Sequence, residues 1–175
     1  HRGGPLLIVA GAGSGKTRVL TRRIAHLLAT KDAEPGEILA ITFTNKAAGE
    51  MKERVAELVG ARARVMWVST FHSACVRILR SESSRLGVAS SFTIYDTADS
   101  LCLMTMVIRD LDLAPKKYTS RSFLGQVSNL KNELIDHETY ASRAANHMEE
   151  MLAEAFNQYQ ARLRRANAFD VDDLI

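Results

Sequence analysis

The sequence has little cysteine and no long apolar segment. Its 175 residues contain two cysteines, Cys75 and Cys102, without a C-x-x-C pair or a cluster of cysteine and histidine. This excludes a disulfide framework and predicts no zinc site, so we expect two reduced thiols in the core. No apolar run reaches the length of about eighteen residues that a membrane-spanning helix needs, and we expect no membrane partner.

The first residues lack the features of a signal peptide. The apolar stretch Leu6 to Ala10 is short, and no small-residue cleavage site follows a longer one. Ten glycines and three prolines leave the composition ordinary for a globular domain. Together with reduced thiols, these observations predict a cytoplasmic protein.

Charge is unevenly distributed along the chain. The net charge is +3, but residues 1–80 carry 13 Lys and Arg against 6 acidic residues, and residues 81–175 carry 10 against 14. A basic first half fits phosphate-rich partners such as ATP and nucleic acid. Charge alone is equally compatible with a solvated basic surface.

Strands and helices alternate in the first half. Apolar runs predict strands buried on both faces at residues 6–10, 38–42 and 65–68. Apolar residues at helical spacing predict helices over 16–29, 46–59 and 71–80. This alternation predicts parallel β-α-β units, and therefore an α/β fold with a parallel sheet.

The second half is predicted to be helical. It has one strand-like segment, residues 92–95, followed by helical patterns that end near residues 111, 134 and 166. The acids near the end, Asp170, Asp172 and Asp173, indicate the acidic start of a helix rather than a metal site. This helical block is either a second domain or an insertion into the first.

A glycine-rich motif follows the first predicted strand. Residues 10–17 read Ala-Gly-Ala-Gly-Ser-Gly-Lys-Thr and match G-x-x-x-x-G-K-[S/T], with Ala10 in place of the first glycine. Glycines let the backbone turn tightly and point N–H groups at phosphate oxygens, and the following helix adds partial positive charge. The motif predicts a nucleotide site in which Lys16 reaches the β- and γ-phosphates and Thr17 ligates Mg²⁺. Its nucleotide-binding residues are Ala12, Gly13, Ser14, Gly15, Lys16 and Thr17.

Three further segments identify a family resemblance. They are Ile-Thr-Phe-Thr-Asn-Lys-Ala-Ala-Gly-Glu-Met at 41–51, Trp-Val-Ser-Thr-Phe-His-Ser at 67–73 and Asn-Leu-Lys-Asn-Glu-Leu at 129–134. With the loop, they make the whole chain resemble the N-terminal part of UvrD/PcrA/Rep-type superfamily 1 DNA helicases. The resemblance implies a P-loop NTPase (RecA-like) domain with an incomplete parallel sheet and an all-helical inserted subdomain. It assigns residues 1–84 to the first part of the ATP-binding domain, 85–166 to the insertion and 167–175 to the return toward the RecA-like domain.

The resemblance also implies roles for individual residues. Lys16 and Thr17 match catalytic contacts to phosphate and Mg²⁺, Arg18 an arginine beside the adenine, and Arg54 an arginine that turns toward the phosphates. The residues that match contacts to single-stranded DNA are Phe43, Thr44, Asn45, Thr70, Phe71 and His72.

Each of these roles has a simpler structural alternative. Phe43 and Phe71 could pack in the core, and His72 could cap the helix that follows it. Arg54 could form a surface ion pair with Glu50 one helical turn away.

The implied function is ATP-dependent unwinding of duplex DNA by translocation along one strand, in DNA repair or replication. Its cofactors are ATP and Mg²⁺, and its partners are single-stranded and duplex DNA, with repair or replication proteins as further candidates. A non-motor nucleic-acid-binding module, a helicase–nuclease subunit and a small phosphotransferase remain alternatives. Because the family's D-E-x-Q-D segment and second RecA-like domain are expected outside these residues, we expect the 175-residue chain alone to be inactive.

Overall fold

The structure is a computed structural model that describes residues 3–11, 13–114 and 116–175. It divides into two compact units, one ending at Ala74 and the other beginning at Cys75. Each unit is mostly helical and contains a small parallel sheet. The chain is therefore an α/β protein in which helices predominate.

Unit 1 places two helices and two strands around one core. Its helices are α1 (Lys16–Thr30) and α2 (Asn45–Val59), and its strands are β1 (Leu39–Thr42) and β2 (Trp67–Thr70). A helix that spans the unit boundary, α3 (Phe71–Ser81), follows β2 directly, and 3₁₀-helical turns cover Pro35–Glu37 and Gly60–Val65. The strands pair in parallel, with Leu39 opposite Trp67 and Thr42 opposite Thr70. The core consists of Ile24, Leu28, Ala40, Met51, Val55, Ala63 and Met66.

The predicted first strand is wrong for this chain. Residues 6–10 form no strand, and the side chains of Leu7 and Val9 are 86% and 88% exposed. A strand is defined by hydrogen bonds to a neighbouring strand, and in the described part of unit 1 such pairing joins β1 and β2 but does not include residues 6–10. An apolar run is typical of a buried strand, but its composition does not provide a neighbouring strand with which it can pair.

The third predicted strand begins two residues later than expected. The 3₁₀-helical turn extends through Val65, and the N–H of Met66 donates to the carbonyl oxygen of Ala63 at 3.3 Å. These turns bury Ala63 and leave Val65 exposed, so pairing starts at Trp67.

Unit 2 packs helices around an aromatic core. Its helices are α4 (Ser83–Leu86), α5 (Thr97–Asp110), α6 (Ser120–Asn132), α7 (His137–Ala141) and α8 (His147–Arg165). The side chains of Asp96, Thr119, Asp136 and Asn146 cap the N-termini of α5 to α8, where they accept backbone N–H groups that lack a partner within the helix. The largest fully buried side chains of this core are Phe123, Phe156, Tyr159, Met104 and Leu152.

A parallel strand pair joins the two ends of the helical block. Strand β3 (Thr93–Tyr95) precedes α5, and strand β4 (Ala168–Asp170) follows α8, with Tyr95 opposite Asp170. A 3₁₀-helical turn, Asp172–Leu174, completes the described chain. The prediction of an all-helical block is therefore correct between β3 and β4 but misses β4. The predicted acidic helix start is correct for Asp172 and Asp173, which lie in this 3₁₀ helix, but wrong for Asp170, which ends β4.

The two cysteines differ in their environments. Cys75 on α3 is half-buried, whereas Cys102 on α5 is exposed. The neighbours Leu103 and Met104 face the core, and the 100° step between helical residues turns Cys102 outward. The expectation of two core thiols is therefore wrong for Cys102. None of the described helices combines the length and apolar composition that crossing a membrane requires.

We predict that Phe156→Ala destabilises unit 2 by about 3–5 kcal/mol, because it removes a buried ring and leaves a cavity. The measurement is urea unfolding followed by circular dichroism of the helices. Met148→Ala on the same helix is the matched control, and its exposed side chain should change stability by less than about 0.5 kcal/mol. Equal effects of the two substitutions would contradict this description of the core.

Candidate nucleotide and nucleic-acid site

The glycine-rich loop leads directly into α1. Gly13 and Gly15 have φ angles of +73° and +86°, in the left-handed region where a side chain would be strained. Gly15 caps α1, and its carbonyl oxygen accepts the N–H of Val19 at 3.0 Å. The Ser14 hydroxyl donates to the carbonyl oxygen of Gly11 at 2.6 Å, which closes the turn. The predicted contact of Ala12 lies outside the described residues.

Lys16 folds over this loop. Its Nζ atom donates to the carbonyl oxygens of Ala10 at 2.8 Å and Gly11 at 2.5 Å. These bonds hold the ammonium beside the loop rather than extended into solvent. Thr17 and Arg18 follow in the first turn of α1, and both side chains are exposed. The predicted phosphate, magnesium and adenine contacts are therefore all accessible at one helix start.

The start of α1 is electrostatically suited to an anion. Its first turn contains no acidic residue, and among the described residues no side chain caps the N-terminus of α1. The backbone N–H groups of this turn and the Lys16 ammonium therefore combine their positive charge.

The same residues fit Mg²⁺ only together with a nucleotide. The described residues contain no group of three metal-binding side chains, and the Thr17 hydroxyl is the predicted protein ligand. Mg²⁺ commonly takes one or two protein ligands and completes its shell with water and substrate phosphates. A nucleotide held by the loop would supply those phosphate oxygens.

Arg54 takes part in the ion pair that its spacing allows. Its guanidinium lies 3.6 Å from the Glu50 carboxylate, and both side chains are about half exposed. Such surface pairs contribute only about 0–1 kcal/mol, so the guanidinium can exchange Glu50 for another anion at little cost. Its contact with nucleotide phosphates stays a prediction.

The two predicted DNA-binding segments lie side by side. Thr42 and Thr70 end neighbouring parallel strands in register, so the segments after them emerge at the same edge of the sheet. Phe43 is 98% exposed, which excludes the core-packing alternative for this ring. Phe71 is partly exposed and meets the ring of His72 edge-on, with 6.4 Å between centroids.

Threonines at this edge fix the helices that follow. The Thr44 hydroxyl accepts the N–H of Ala47 at 3.1 Å and caps α2. The Thr70 hydroxyl accepts the N–H of Ser73 at 3.3 Å and donates to the Ser73 hydroxyl at 2.8 Å. Thr70 therefore makes the capping contact that was an alternative for His72. Asn45 and His72 lie in the first turns of these helices with exposed side chains.

Unit 2 contains a buried charge cluster that the sequence pattern did not reveal. The Lys131 ammonium lies 2.7 Å from Asp170 Oδ2 and 2.8 Å from Asp173 Oδ1, with side chains 7%, 5% and 14% exposed. The Tyr159 hydroxyl also donates to Asp170 Oδ2, at 2.9 Å. The spacing along α6 could have located Lys131. This residue follows Phe123 and Val127 at intervals of four, which places it on the buried face of the helix.

The chain is similar to proteins named as ATP-dependent DNA helicases. ATP-dependent DNA helicase UvrD1 of Mycobacterium tuberculosis (strain H37Rv) is 58% identical over 179 residues, which cover 100% of this chain and 23% of that protein. ATP-dependent DNA helicase PcrA of Staphylococcus aureus (strain NCTC 8325) is 53% identical over 172 residues, which cover 98% of this chain and 24% of that protein. The chain thus spans about a quarter of the length of these relatives.

The family assignment covers the whole sequence. The profile of the UvrD/REP helicase N-terminal domain matches residues 1–175, which include the loop, both strand-end segments and the buried cluster of unit 2. The resemblance found in the motifs is therefore confirmed, and the chain belongs to the UvrD/REP helicase N-terminal domain family.

Proposed function

We propose that this chain is the ATP-binding portion of an ATP-dependent DNA helicase that unwinds duplex DNA by moving along one strand. The observation that carries this proposal is the parallel register of Thr42 with Thr70. It places two exposed aromatic segments at one sheet edge, in the same unit as the Lys16 loop. A nucleotide site and a base-stacking edge in one unit are what a nucleic-acid motor needs.

At the nucleotide site, the loop would bind phosphates through its backbone. The N–H groups at the start of α1 and the Lys16 ammonium supply positive charge, and Lys16 would exchange its loop carbonyls for phosphate oxygens. Mg²⁺ bound with ATP neutralises phosphate charge, and the Thr17 hydroxyl would hold it. Arg18 would lie beside the adenine, and Arg54 would turn from Glu50 toward the phosphates.

At the sheet edge, DNA would contact side chains rather than a deep pocket. An exposed ring such as Phe43 can stack on a base of any sequence, because every base has an aromatic face. Asn45 and His72 offer polar groups for backbone phosphates, while Thr44 and Thr70 hold the helix starts in place. This division of roles suits a motor that must accept every sequence it crosses.

We also propose the RecA-like assignment of the units. Residues 1–84 would form the first part of the ATP-binding domain, 85–166 the helical insertion, and 167–175 the return. The pairing of β3 with β4 supports an insertion, because it sets the two ends of the helical block beside each other. The exposed apolar run 6–10 is consistent with an incomplete sheet, in which that run would gain strand neighbours from the rest of the polypeptide. A cytoplasmic location and work in DNA repair or replication are part of the same proposal.

We predict that Lys16→Ala in the full-length helicase lowers kcat for ATP hydrolysis by at least about 100-fold, because it removes a charge aimed at the transferring phosphate. The measurement is steady-state phosphate release. Arg22→Ala, which removes an exposed cation from the same helix, is the matched control and should retain activity. Full unwinding activity in Lys16→Ala would instead indicate a non-motor nucleic-acid-binding module.

We predict that Phe43→Ala weakens binding of single-stranded oligo-dT roughly 5- to 150-fold, because a stacked base contributes about 1–3 kcal/mol. Fluorescence anisotropy of the full-length protein gives the dissociation constant. Leu58→Ala, an exposed apolar side chain on α2, is the control and should bind normally. Both variants should fold like the parent, so equal affinities would count against a DNA contact at this edge.

A further inference from the structure

The buried cluster of unit 2 contains one cation for two carboxylates. Lys131 on α6 donates to Asp170 at the end of β4 and to Asp173 in the following turn. Tyr159 on α8 adds a hydrogen bond to Asp170, and its ring lies under the Lys131 ammonium, 5.3 Å from Nζ to the ring centroid. With both carboxylates ionised, the cluster carries a net charge of −1 on side chains that are mostly buried.

Backbone bonds lock the two carboxylates together. The N–H of Asp173 donates to Asp170 Oδ1 at 2.9 Å, and the N–H of Asp170 donates to Asp173 Oδ2 at 3.2 Å. Neither carboxylate can therefore swing into solvent without breaking the turn that ends the described chain. The excess charge must be held in place or neutralised there.

Gln160 lies beside Asp173, the carboxyl group that we expect to bind a proton. Its Nε2 atom donates to Asp173 Oδ1 at 3.3 Å, while its Oε1 atom is buried with no hydrogen-bond partner among the described residues. A half turn of this amide would point Oε1 at Asp173, where it could accept a hydrogen bond from a protonated carboxyl. The side chain can therefore serve either charge state of Asp173.

We propose that Lys131, Asp170, Asp173 and Tyr159 form an acid-strengthened clasp, which holds β4 against α6 and α8 and takes up one proton from solvent on Asp173. Because β4 pairs with β3, the clasp also holds together the two ends of the helical block. Mild acidification would tighten this junction, and alkaline conditions would loosen it.

The direction of the effect follows from linkage. Burial raises the pKa of the Asp173 carboxyl above its ordinary 3.8; the Lys131 charge opposes this shift and the Asp170 charge adds to it. The folded chain then binds this proton more tightly than the unfolded chain. The stabilisation is complete below the ordinary pKa and is lost as pH rises through the raised pKa.

Some titratable groups of unit 2 act outside this pH window, and others line the cavities beside the cluster. Hydrogen bonds with Arg162 and Arg109 lower the pKa of Asp110, and backbone N–H donation by Thr139 lowers that of Asp136, so both titrate below the ordinary range. Burial and the charge of Asp170 raise the pKa of Tyr159, so its hydroxyl remains a donor. The other charged or titratable groups around the cluster line its two adjacent cavities and are His137, Arg164, Asp172, Asp96 and Arg121.

The test compares Asp173→Asn with Asp172→Asn in the 175-residue chain by urea unfolding between about pH 4 and about pH 8. We expect the unfolding constant of the parent, divided by that of Asp173→Asn, to rise at least about threefold over this range. The same ratio for Asp172→Asn, the matched control one residue away, should stay level. A level ratio for Asp173→Asn, or equal slopes for both variants, would overturn the proton site.

Lys131→Met tests the clasp separately. It leaves two buried carboxylates without a cation, so its unfolding constant at about pH 8 should rise by at least about 100-fold, and by less at about pH 5. Carboxyl carbon NMR of the folded parent gives an independent reading, in which Asp173 should titrate above the ordinary range of an aspartate. A Lys131→Met chain as stable as the parent, or an Asp173 signal that titrates in the ordinary range, would contradict the clasp.

Discussion

The register between β1 and β2 is the constraint on which the candidate site depends. Because the strands run parallel with Thr42 opposite Thr70, the two segments that follow them leave the sheet at one edge. A shift of one residue would turn the side chains of one strand to the other face and separate the matched strand ends. Ala40, buried with Met51 and Val55 of α2, holds β1 against the core and so helps to fix this register.

Unit 2 depends on a different interaction, an ammonium buried between two carboxylates. The apolar core packs α5, α6 and α8 together, but it does not by itself determine where the chain goes after α8. Lys131 determines that path, because its contacts with Asp170 and Asp173 fix the end of β4 and the turn beyond it. Removing one partner of such a buried pair destabilises the fold by more than the pair contributes to net stability. The pair therefore favours this one position of the chain after α8 over others.

Local pattern predicted the helices well because their causes are local. The bounds of α1, α2 and α3 agree with the predicted ones to within one residue at either end. Strands were harder to predict, because a segment forms a strand only where a neighbouring strand pairs with it. The run 6–10 has the composition of a buried strand without a neighbour, whereas β4 has a neighbour but only three residues to signal it.

The candidate site was predictable as far as motifs reach. The loop, Phe43 and Phe71 were all identified from sequence, but the register that brings both aromatic segments to one edge required the structure. The link between Lys131 and Asp170 also escaped prediction, because these residues are 39 positions apart and meet only through the packing of α6 against the final turn. Neither the segment at 129–134 nor the acids near residue 170 indicated that they share a charge cluster.

A motor that moves along DNA must link ATP hydrolysis at the nucleotide loop to DNA bound at the sheet edge, and the rate of ATP hydrolysis tests this link most directly. Steady-state phosphate release by the full-length protein should be slow without DNA and rise severalfold when single-stranded oligo-dT is added. Hydrolysis at the same rate with and without single-stranded DNA would contradict the account, because the loop and the sheet edge would then act independently.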